Sequence, residues 1–301
     1  MTHWLLFHLA SGDALWSAAA LMALAVMVFI WSKGHWGRTI GIALVVIASL
    51  AWWGSGTPTP TALLLVAIVV LIAWLGVELK LLPDGKSATA LCRVAMLIVV
   101  GMVVVVELPW HLAPSLTWNG MGTIYVVGDS VSAGLGHPEI LPWPQVLAQI
   151  RGLQVRNLAI AGATAKSAFR ELGGIDGQGL VIVEIGGNDM FGGSTPEQFA
   201  EDLERLLTEV LRTGNPVVML ELPVWPGGRP YARVQRQVAS RLRVAMIPKR
   251  GWAVVASGEG HTLDNVHLSG EGHKAMAAFV GQQISAWIAP DQQNTSRPAQ
   301  P

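Results

Sequence analysis

A serine, a histidine and a carboxylate in the second part of the chain are the residue types of a nucleophilic active site. Ser130 ends the run Gly128-Asp129-Ser130, directly after the apolar stretch Thr123–Val127. Asp264 and His267 lie three residues apart, just before the final helical pattern. A serine hydroxyl becomes a good nucleophile when a base takes its proton, and that base needs an orienting group. Each segment by itself also fits an ordinary turn with a surface histidine.

Gly162 and Asn188 have properties that suit the stabilisation of a negatively charged oxygen. Each follows the end of a predicted strand. Glycine lets a backbone N–H approach a ligand closely, and the Asn188 amide is a neutral hydrogen-bond donor. A serine that opens a helix also presents a free backbone N–H. The alternatives are a tight turn at Gly162 and an Asx-type loop at Asn188.

Short apolar runs that end at these positions predict the strands that must present them. The runs are Thr123–Val127, Leu153–Ile160, Gly179–Ile185, Pro216–Leu222 and a weaker fifth, Ala253–Ala256. Continuous apolar strands favour a parallel sheet that is covered on both faces. Helical patterns alternate with them, most clearly Pro196–Arg212, where Thr195 and Gln198 form a capping box. The alternation predicts a doubly wound α/β/α sandwich, which binds ligands beyond the carboxyl ends of its strands.

Four short motifs resemble, in order, the blocks of the SGNH (GDSL) hydrolase family. They are Gly128-Asp129-Ser130, Gly162, Gly186-Gly187-Asn188-Asp189 and Asp264-Asn265-Val266-His267. The run Leu141-Pro142-Trp143-Pro144 and the sequences GDSVSAG and VIVEIGGND are similar to the bacterial periplasmic thioesterase, lysophospholipase and arylesterase branch of that family. The resemblance covers about Ile124–Ile288 and does not extend to the first part of the chain.

The resemblance implies a flavodoxin-like parallel sheet and a role for each matching residue. Ser130 would be the nucleophile, His267 the general base and Asp264 the group that orients it. The backbone N–H groups of Ser130 and Gly162 and the side chain of Asn188 would form the oxyanion hole. The reaction would hydrolyse an ester or thioester through an acyl-enzyme, with no metal and no cofactor.

Further residues are expected to support this site. Asp129, Gly186 and Asp189 stand beside the catalytic positions and would hold their turns, and His137 would border the substrate cleft. The seven Lys/Arg of the stretch Arg229–Arg250 are interpreted as a solvated helix face, with contact to anionic lipid as the alternative.

The composition points to a chain of two different parts. Hydrophobic residues make up 51% and charged residues 13%, with a formal net charge of zero. A nucleic-acid-binding protein needs a basic excess, and a disordered protein needs low hydrophobicity with high net charge. The single cysteine, Cys92, excludes a disulfide framework and a metal site built from cysteines. Only nine of the charged residues precede Gly120.

Four apolar stretches in the first part are predicted to span a membrane, because a span needs about 20 residues within a range of roughly 17–25. The predicted spans are about 14–31, 39–55, 61–77 and 92–110. The predicted organisation is a transmembrane domain at 1–111, a linker at 112–122, a hydrolase domain at 123–290 and a disordered tail at 291–301.

The positions of the positive charges predict the orientation. Lys33 and Arg38 lie in the first loop and Lys80, Lys86 and Arg93 in or beside the third, whereas the second loop has no charge. Positively charged loops remain in the cytoplasm. The amino terminus and the hydrolase domain are therefore expected outside, on the periplasmic face of a bacterial inner membrane.

The combined expectation is a membrane-anchored serine esterase that acts on lipid-like acyl esters, lysophospholipids or thioesters. One alternative is an O-acetyl esterase or acetyltransferase of cell-surface polysaccharide. Another is a non-catalytic or auxiliary subunit of a membrane complex with an unidentified partner. The expected partners are thus the acyl substrate and the lipid bilayer, and no nucleic acid.

Overall fold

The computed structural model describes residues 2–32, 34–82, 85–136, 139–224, 226–264 and 266–287. The chain divides into two compact units. The helical unit comprises His8–Leu112 with Val224–Arg229, and the α/β unit comprises Met1–Phe7, Ala113–Pro223 and Pro230–Pro301. The predictions for His137 and for the tail at 291–301 lie outside the described residues.

The described residues of the first part of the chain form five α-helices. They are α1 (Thr2–Ala10), α2 (Ala14–Trp31), α3 (His35–Gly54), α4 (Thr61–Glu78) and α5 (Lys86–Glu107). A 3-10 turn, Leu108–His111, continues α5. By length and composition, α2, α3, α4 and the continuous segment Lys86–His111 are each able to cross a membrane. Many large apolar side chains on these helices are exposed, which is the surface that hydrocarbon would cover.

An ion pair links three helices of the helical unit. Arg93 of α5 donates from Nε to Glu78 Oε1 of α4 at 2.5 Å, and its guanidinium also contacts Glu78 Oε2 and the Phe29 carbonyl of α2 at 3.0 Å each. Trp74 donates its indole N–H to the same carboxylate at 3.0 Å. A charge in an apolar bundle needs a partner of opposite charge. The bidentate pair gives Arg93 and Glu78 each such a partner.

The described residues of the α/β unit contain a sheet of five parallel strands. The strands are β1 (Thr123–Gly128), β2 (Val155–Asn157), β3 (Gly179–Glu184), β4 (Val217–Leu220) and β5 (Ala245–Ile247). Their order, β2-β1-β3-β4-β5, is the flavodoxin-like order of a doubly wound fold. The predicted fold class is therefore confirmed. β1 lies at the switch point, where the chain winds first to one side and then to the other.

Within the described ranges, eight α-helices alternate with the strands. They are α6 (Ser130–Ala133), α7 (Trp143–Arg151), α8 (Ala165–Ala168), α9 (Gly187–Phe191), α10 (Pro196–Arg212), α11 (Arg229–Leu242), α12 (Lys249–Ala256) and α13 (Gly270–Trp287). At α10 the predicted capping box is present, because Thr195 and Gln198 exchange side-chain to backbone hydrogen bonds. One face of the sheet packs against α7, α12 and α13 through a core that includes Ile182, Trp143 and Val280.

The predicted fifth strand is wrong. Ala253–Ala256 lies within α12, and the strand is formed by Ala245–Ile247 instead. Short apolar runs do not distinguish a strand from a buried helical segment. In α12 the side chains of Trp252 and Val255 are buried against the core, as one side of a helix requires.

Candidate active site

The turn after β1 places Ser130 at the start of α6. Asp129 caps this short helix, because its Oδ1 accepts the backbone N–H of Val131 at 3.0 Å. The first N–H groups of a helix have no acceptor within the helix. The N–H of Ser130 is one of these groups, so the nucleophile position also offers a backbone donor.

Asp264 and His267 are held together by a compact loop between α12 and α13. Asp264 Oδ1 accepts the backbone N–H of His267 at 2.8 Å and that of Val266 at 3.1 Å. Asp264 Oδ2 lies 2.7 Å from His267 Nδ1. A proton on Nδ1 would be donated to this carboxylate and would leave Nε2 as an acceptor. The loop therefore holds the His267 ring with Nδ1 directed at Asp264.

The carboxyl group of Asp264 is ionised throughout the working range of an enzyme. The backbone N–H of His267, followed by its side chain, lowers the pKa of Asp264 to about 2. Its side chain is 54% exposed, so hydrogen bonds outweigh the small cost of burial. A permanent negative charge therefore lies beside the His267 imidazole.

An electrostatic link connects His267 to the turn that carries Ser130. Burial raises the pKa of Asp129 to about 6, and the positive form of His267 opposes this shift. Charges influence each other in this way only over short distances. The predicted base therefore acts electrostatically on the residue that precedes the predicted nucleophile.

The loops that carry Gly162 and Asn188 contact each other. Asn188, in α9 after β3, donates its side-chain amide to the carbonyl of Ala163 at 3.1 Å. Gly162 has a φ of +81°, in the left-handed region, and the Ala163 N–H closes this turn on Ile160 at 3.0 Å. A side chain at position 162 would strain this conformation. The two predicted oxyanion-hole loops therefore lie side by side.

Asp189 also links the loop that carries Gly162 to the turn that carries Asn188. Its buried carboxylate accepts the N–H of Ala165, the first residue of α8, at 3.0 Å. Burial raises the pKa of Asp189 to about 6. Gly186 has a φ of +121°, and a Cβ there would lie 2.8 Å from the ring of Phe199. Both residues lie in or beside the turn that carries Asn188, and their supporting role stays a prediction.

Glu184, a buried carboxyl group beside the turn that carries Ser130, was not among the predicted site residues. The Ser132 hydroxyl donates to Glu184 Oε2 at 2.9 Å, and the indole N–H of Trp143 donates to Ser132 at 3.1 Å. His273 Nδ1 accepts the backbone N–H of Trp143 at 3.2 Å. Glu184 is the only charged residue of the apolar strand β3, and this placement is the signal that reveals it from sequence.

The interpretation of the basic stretch as a solvated face is wrong for two of its members. Arg236 and Lys249 are buried beside Glu221, which follows β4. Arg236 Nε donates to Glu221 Oε1 at 2.7 Å, and the Lys249 backbone N–H donates to Oε2 at 3.1 Å. Buried charges need partners of this kind. Among the described residues, no group of three or more His, Cys, Asp or Glu side chains is arranged to hold a metal ion.

The fold and the residue types define the α/β unit as that of a serine ester hydrolase. Residues 126–275 match the model of the GDSL-like lipase/acylhydrolase family, and the chain belongs to this family. The arylesterase of Vibrio mimicus is 27% identical over 174 residues, which cover 54% of this chain and 87% of that relative.

Two further comparisons agree with this assignment. The esterase TesA of Pseudomonas aeruginosa is 29% identical over 139 residues, which cover 42% of this chain and 69% of that relative. The crystal structure of the psychrotrophic esterase EstA from Pseudoalteromonas sp. superposes with a TM-score of 0.51 at 17% identity. The superposition covers 56% of this chain and 98% of that structure, and it shows the shared fold.

Proposed function

We propose that this protein is a membrane-anchored serine esterase that hydrolyses acyl esters through an acyl-enzyme on Ser130. The observation that carries the proposal is the 2.7 Å contact between Asp264 and His267. It lies in a loop whose imidazole influences the Asp129-Ser130 turn. Membership of the lipase/acylhydrolase family and the esterase relatives support the reaction class.

In the first half-reaction, Ser130 Oγ attacks the ester carbonyl while His267 Nε2 takes the hydroxyl proton. Asp264 stabilises the imidazolium that forms. The substrate oxygen becomes an oxyanion and accepts hydrogen bonds from the N–H groups of Ser130 and Gly162 and from the Asn188 amide. The ester C–O bond then breaks, and His267 gives its proton to the leaving alcohol or thiol.

In the second half-reaction, water attacks the acyl group on Ser130. His267 takes a proton from this water, and the same donors hold the second oxyanion. The bond to Ser130 Oγ breaks, Oγ recovers its proton from His267, and the carboxylic acid leaves. Atoms and protons balance with water as the only co-reactant.

Exposed apolar side chains support a lipid-like acyl group as the substrate class. Ile160, Phe191, Leu263 and Val266 are large, apolar and exposed. They come from the three loops that carry Gly162, Asn188 and the Asp264–His267 pair. Apolar walls with a few placed polar groups are typical of a site that binds a hydrocarbon chain. A protein held at a bilayer by apolar helices would meet such esters at high local concentration.

The decisive experiment is turnover of medium-chain nitrophenyl esters and lysophospholipid by full-length protein in mild detergent. We expect Ser130→Ala to lower kcat by about 10³-fold or more. Ser257→Ala is a matched control, because within the described residues that hydroxyl hydrogen-bonds to the Val254 carbonyl of the preceding helix α12. Unchanged turnover by Ser130→Ala would refute the mechanism. Acetate release from acetylated polysaccharide, with no action on lysophospholipid, would favour the O-acetyl alternative.

We further propose that the transmembrane domain at 1–111 leads through the linker at 112–122 to a hydrolase domain outside the cytoplasm. Thiol labelling of intact bacteria tests this orientation in a Cys92→Ser background. Glu197→Cys, on the exposed start of α10, should react with a membrane-impermeant reagent. Gly34→Cys, in the first loop, should react only after permeabilisation. The opposite pattern would overturn the orientation and leave the chemistry untouched.

A further inference from the structure

Two buried carboxyl groups meet directly behind the nucleophile turn. Glu184 ends β3, Asp129 follows β1, and the neighbouring Gly128 is in register with Glu184. Glu184 is 1% exposed and Asp129 3% exposed. The charge of Asp129 raises the pKa of Glu184, and the Glu184 side chain lowers that of Asp129. Two ionised carboxylates on neighbouring strands repel in so buried a place, and this favours a proton on one of them.

The surrounding donors decide which group is the acid. Asp129 Oδ1 accepts the Val131 N–H at 3.0 Å, and this favours its charged form. Glu184 Oε2 accepts the Ser132 hydroxyl at 2.9 Å, whereas Glu184 Oε1 has no hydrogen-bond partner in the described part of the chain. Burial, and then the charge of Asp129, raises the pKa of Glu184 well above its ordinary value.

We propose that Glu184 is a positioning residue that keeps its proton and donates it to ionised Asp129, and that this buried acid pair fixes the turn carrying Ser130. The proposal rests on the proposed role of Ser130 as the nucleophile. It assigns to Glu184 no contact with the substrate. Its effect passes through Asp129, which caps the helix that Ser130 opens.

The pair also lies between the nucleophile turn and the oxyanion-hole turn. A Cβ at Gly187 would be 3.2 Å from Asp129 Oδ2, and a Cβ at Gly128 would be 3.0 Å from Glu184 Oε2. Both neighbouring backbones therefore pass close to the pair. If the shared proton left, two negative charges would repel in a buried site. The turns that carry Ser130 and Asn188 would then move apart.

Other titratable groups face the pair, and they must be considered in any pH experiment. The negative charge of Asp189 and the positive form of His267 both act on Asp129. Ser132 and Trp143 contribute neutral hydrogen bonds, and His273 is held behind Trp143 as a hydrogen-bond acceptor. Only a substitution at Glu184 removes the shared proton and leaves these groups in place.

The test compares kcat and KM across pH for full-length wild type, Glu184→Gln and Glu184→Leu in mild detergent. Glutamine keeps a neutral donor for Asp129, so it should retain most of kcat. Its kcat should not fall on the alkaline side where that of the wild type does. Leucine leaves the Asp129 charge buried without its donor, which should lower kcat about tenfold or more with little change in KM.

An infrared measurement observes the proton directly. At neutral pH the wild type should show the carbonyl stretch of a protonated carboxylic acid, and Glu184→Gln should lack it. The same alkaline limb in wild type and Glu184→Gln, or an equal infrared spectrum, would overturn the proposal. If Glu184→Leu fails to fold, Glu184→Gln alone still tests whether Glu184 holds the proton. Activity in Ser130→Ala would refute the proposed nucleophile instead, and the infrared result does not depend on turnover.

Discussion

The side-chain amide of Asn188 donates to the main-chain carbonyl of Ala163 across 3.1 Å. This hydrogen bond uses one amide hydrogen and fixes the plane of the amide. In the proposed mechanism the second hydrogen is left for the substrate oxyanion. It also joins the turn after β3 to the loop that carries Gly162, so two donors from separate strands act as one rigid group. Preorganised donors of this kind need no rearrangement as charge develops.

Replacement of Asn188 should therefore affect catalysis more than binding. We expect Asn188→Ala to lower kcat by about 10²–10³-fold with a small change in KM, because an oxyanion is present only in the transition state. Steady-state kinetics with a nitrophenyl ester measure this. Asn215→Ala is the matched control, since in the described part of the chain that buried amide bonds to Gly177, Gly179 and Thr213, at the opposite end of β3 from Asn188. It should lower thermal stability and leave kcat intact. A large change in KM alone for Asn188→Ala would contradict the assignment.

Replacement of Asp264 by asparagine should remove the charge that supports His267. We expect Asp264→Asn to lower kcat by roughly 10²–10⁴-fold, since an amide no longer stabilises the imidazolium. Because the pKa of Asp264 is about 2, its loss of charge cannot explain any decline in wild-type activity between pH 5 and pH 8. Glu271→Gln is the control, because this exposed carboxylate pairs with Lys274 on α13. Equal activity of Asp264→Asn and Glu271→Gln would refute the proposed catalytic role of Asp264.

Asp189 should make stability depend on pH in a predictable direction. Its pKa rises from 3.8 to about 6 on folding, because burial disfavours the charge. Between these values the folded state binds more protons than the unfolded state, so stability falls as pH rises. The melting temperature of the wild type relative to Asp189→Asn should therefore decline from pH 4 to pH 7. A relative melting temperature that stays constant or rises would show that Asp189 is not buried as described.

His273 should produce the opposite slope. Burial lowers its pKa from 6.5 to about 4, and as a neutral ring it accepts the Trp143 N–H. Between these values the unfolded state binds more protons, so stability rises with pH. His273→Gln offers a neutral acceptor that does not titrate there. We expect the melting temperature of the wild type, relative to this variant, to rise from pH 4 to pH 6.5. Parallel curves of melting temperature against pH for the wild type and His273→Gln would show that His273 is not buried and neutral in the folded state.

The sequence by itself determined the parts of this protein that depend on local patterns. The apolar runs around Ile124 and Ile182 predict strands because a parallel sheet buries both faces of each strand. The capping box at Thr195 and Gln198 and the spacing of Asp264 and His267 are likewise readable along the chain. These features involve residues that are close together in sequence.

Only the tertiary structure decided features that depend on residues far apart in sequence. The strand Ala245–Ile247 is too short to show a pattern and exists because its residues pair with β4. Arg236 resembles a surface charge until folding buries it against Glu221, whose other oxygen accepts the backbone N–H of Lys249. The placement of Glu184 beside Asp129, 55 positions earlier, is likewise invisible in either segment alone. Burial and the neighbouring strand raise the pKa of both carboxyl groups, and both causes arise only when the sheet assembles.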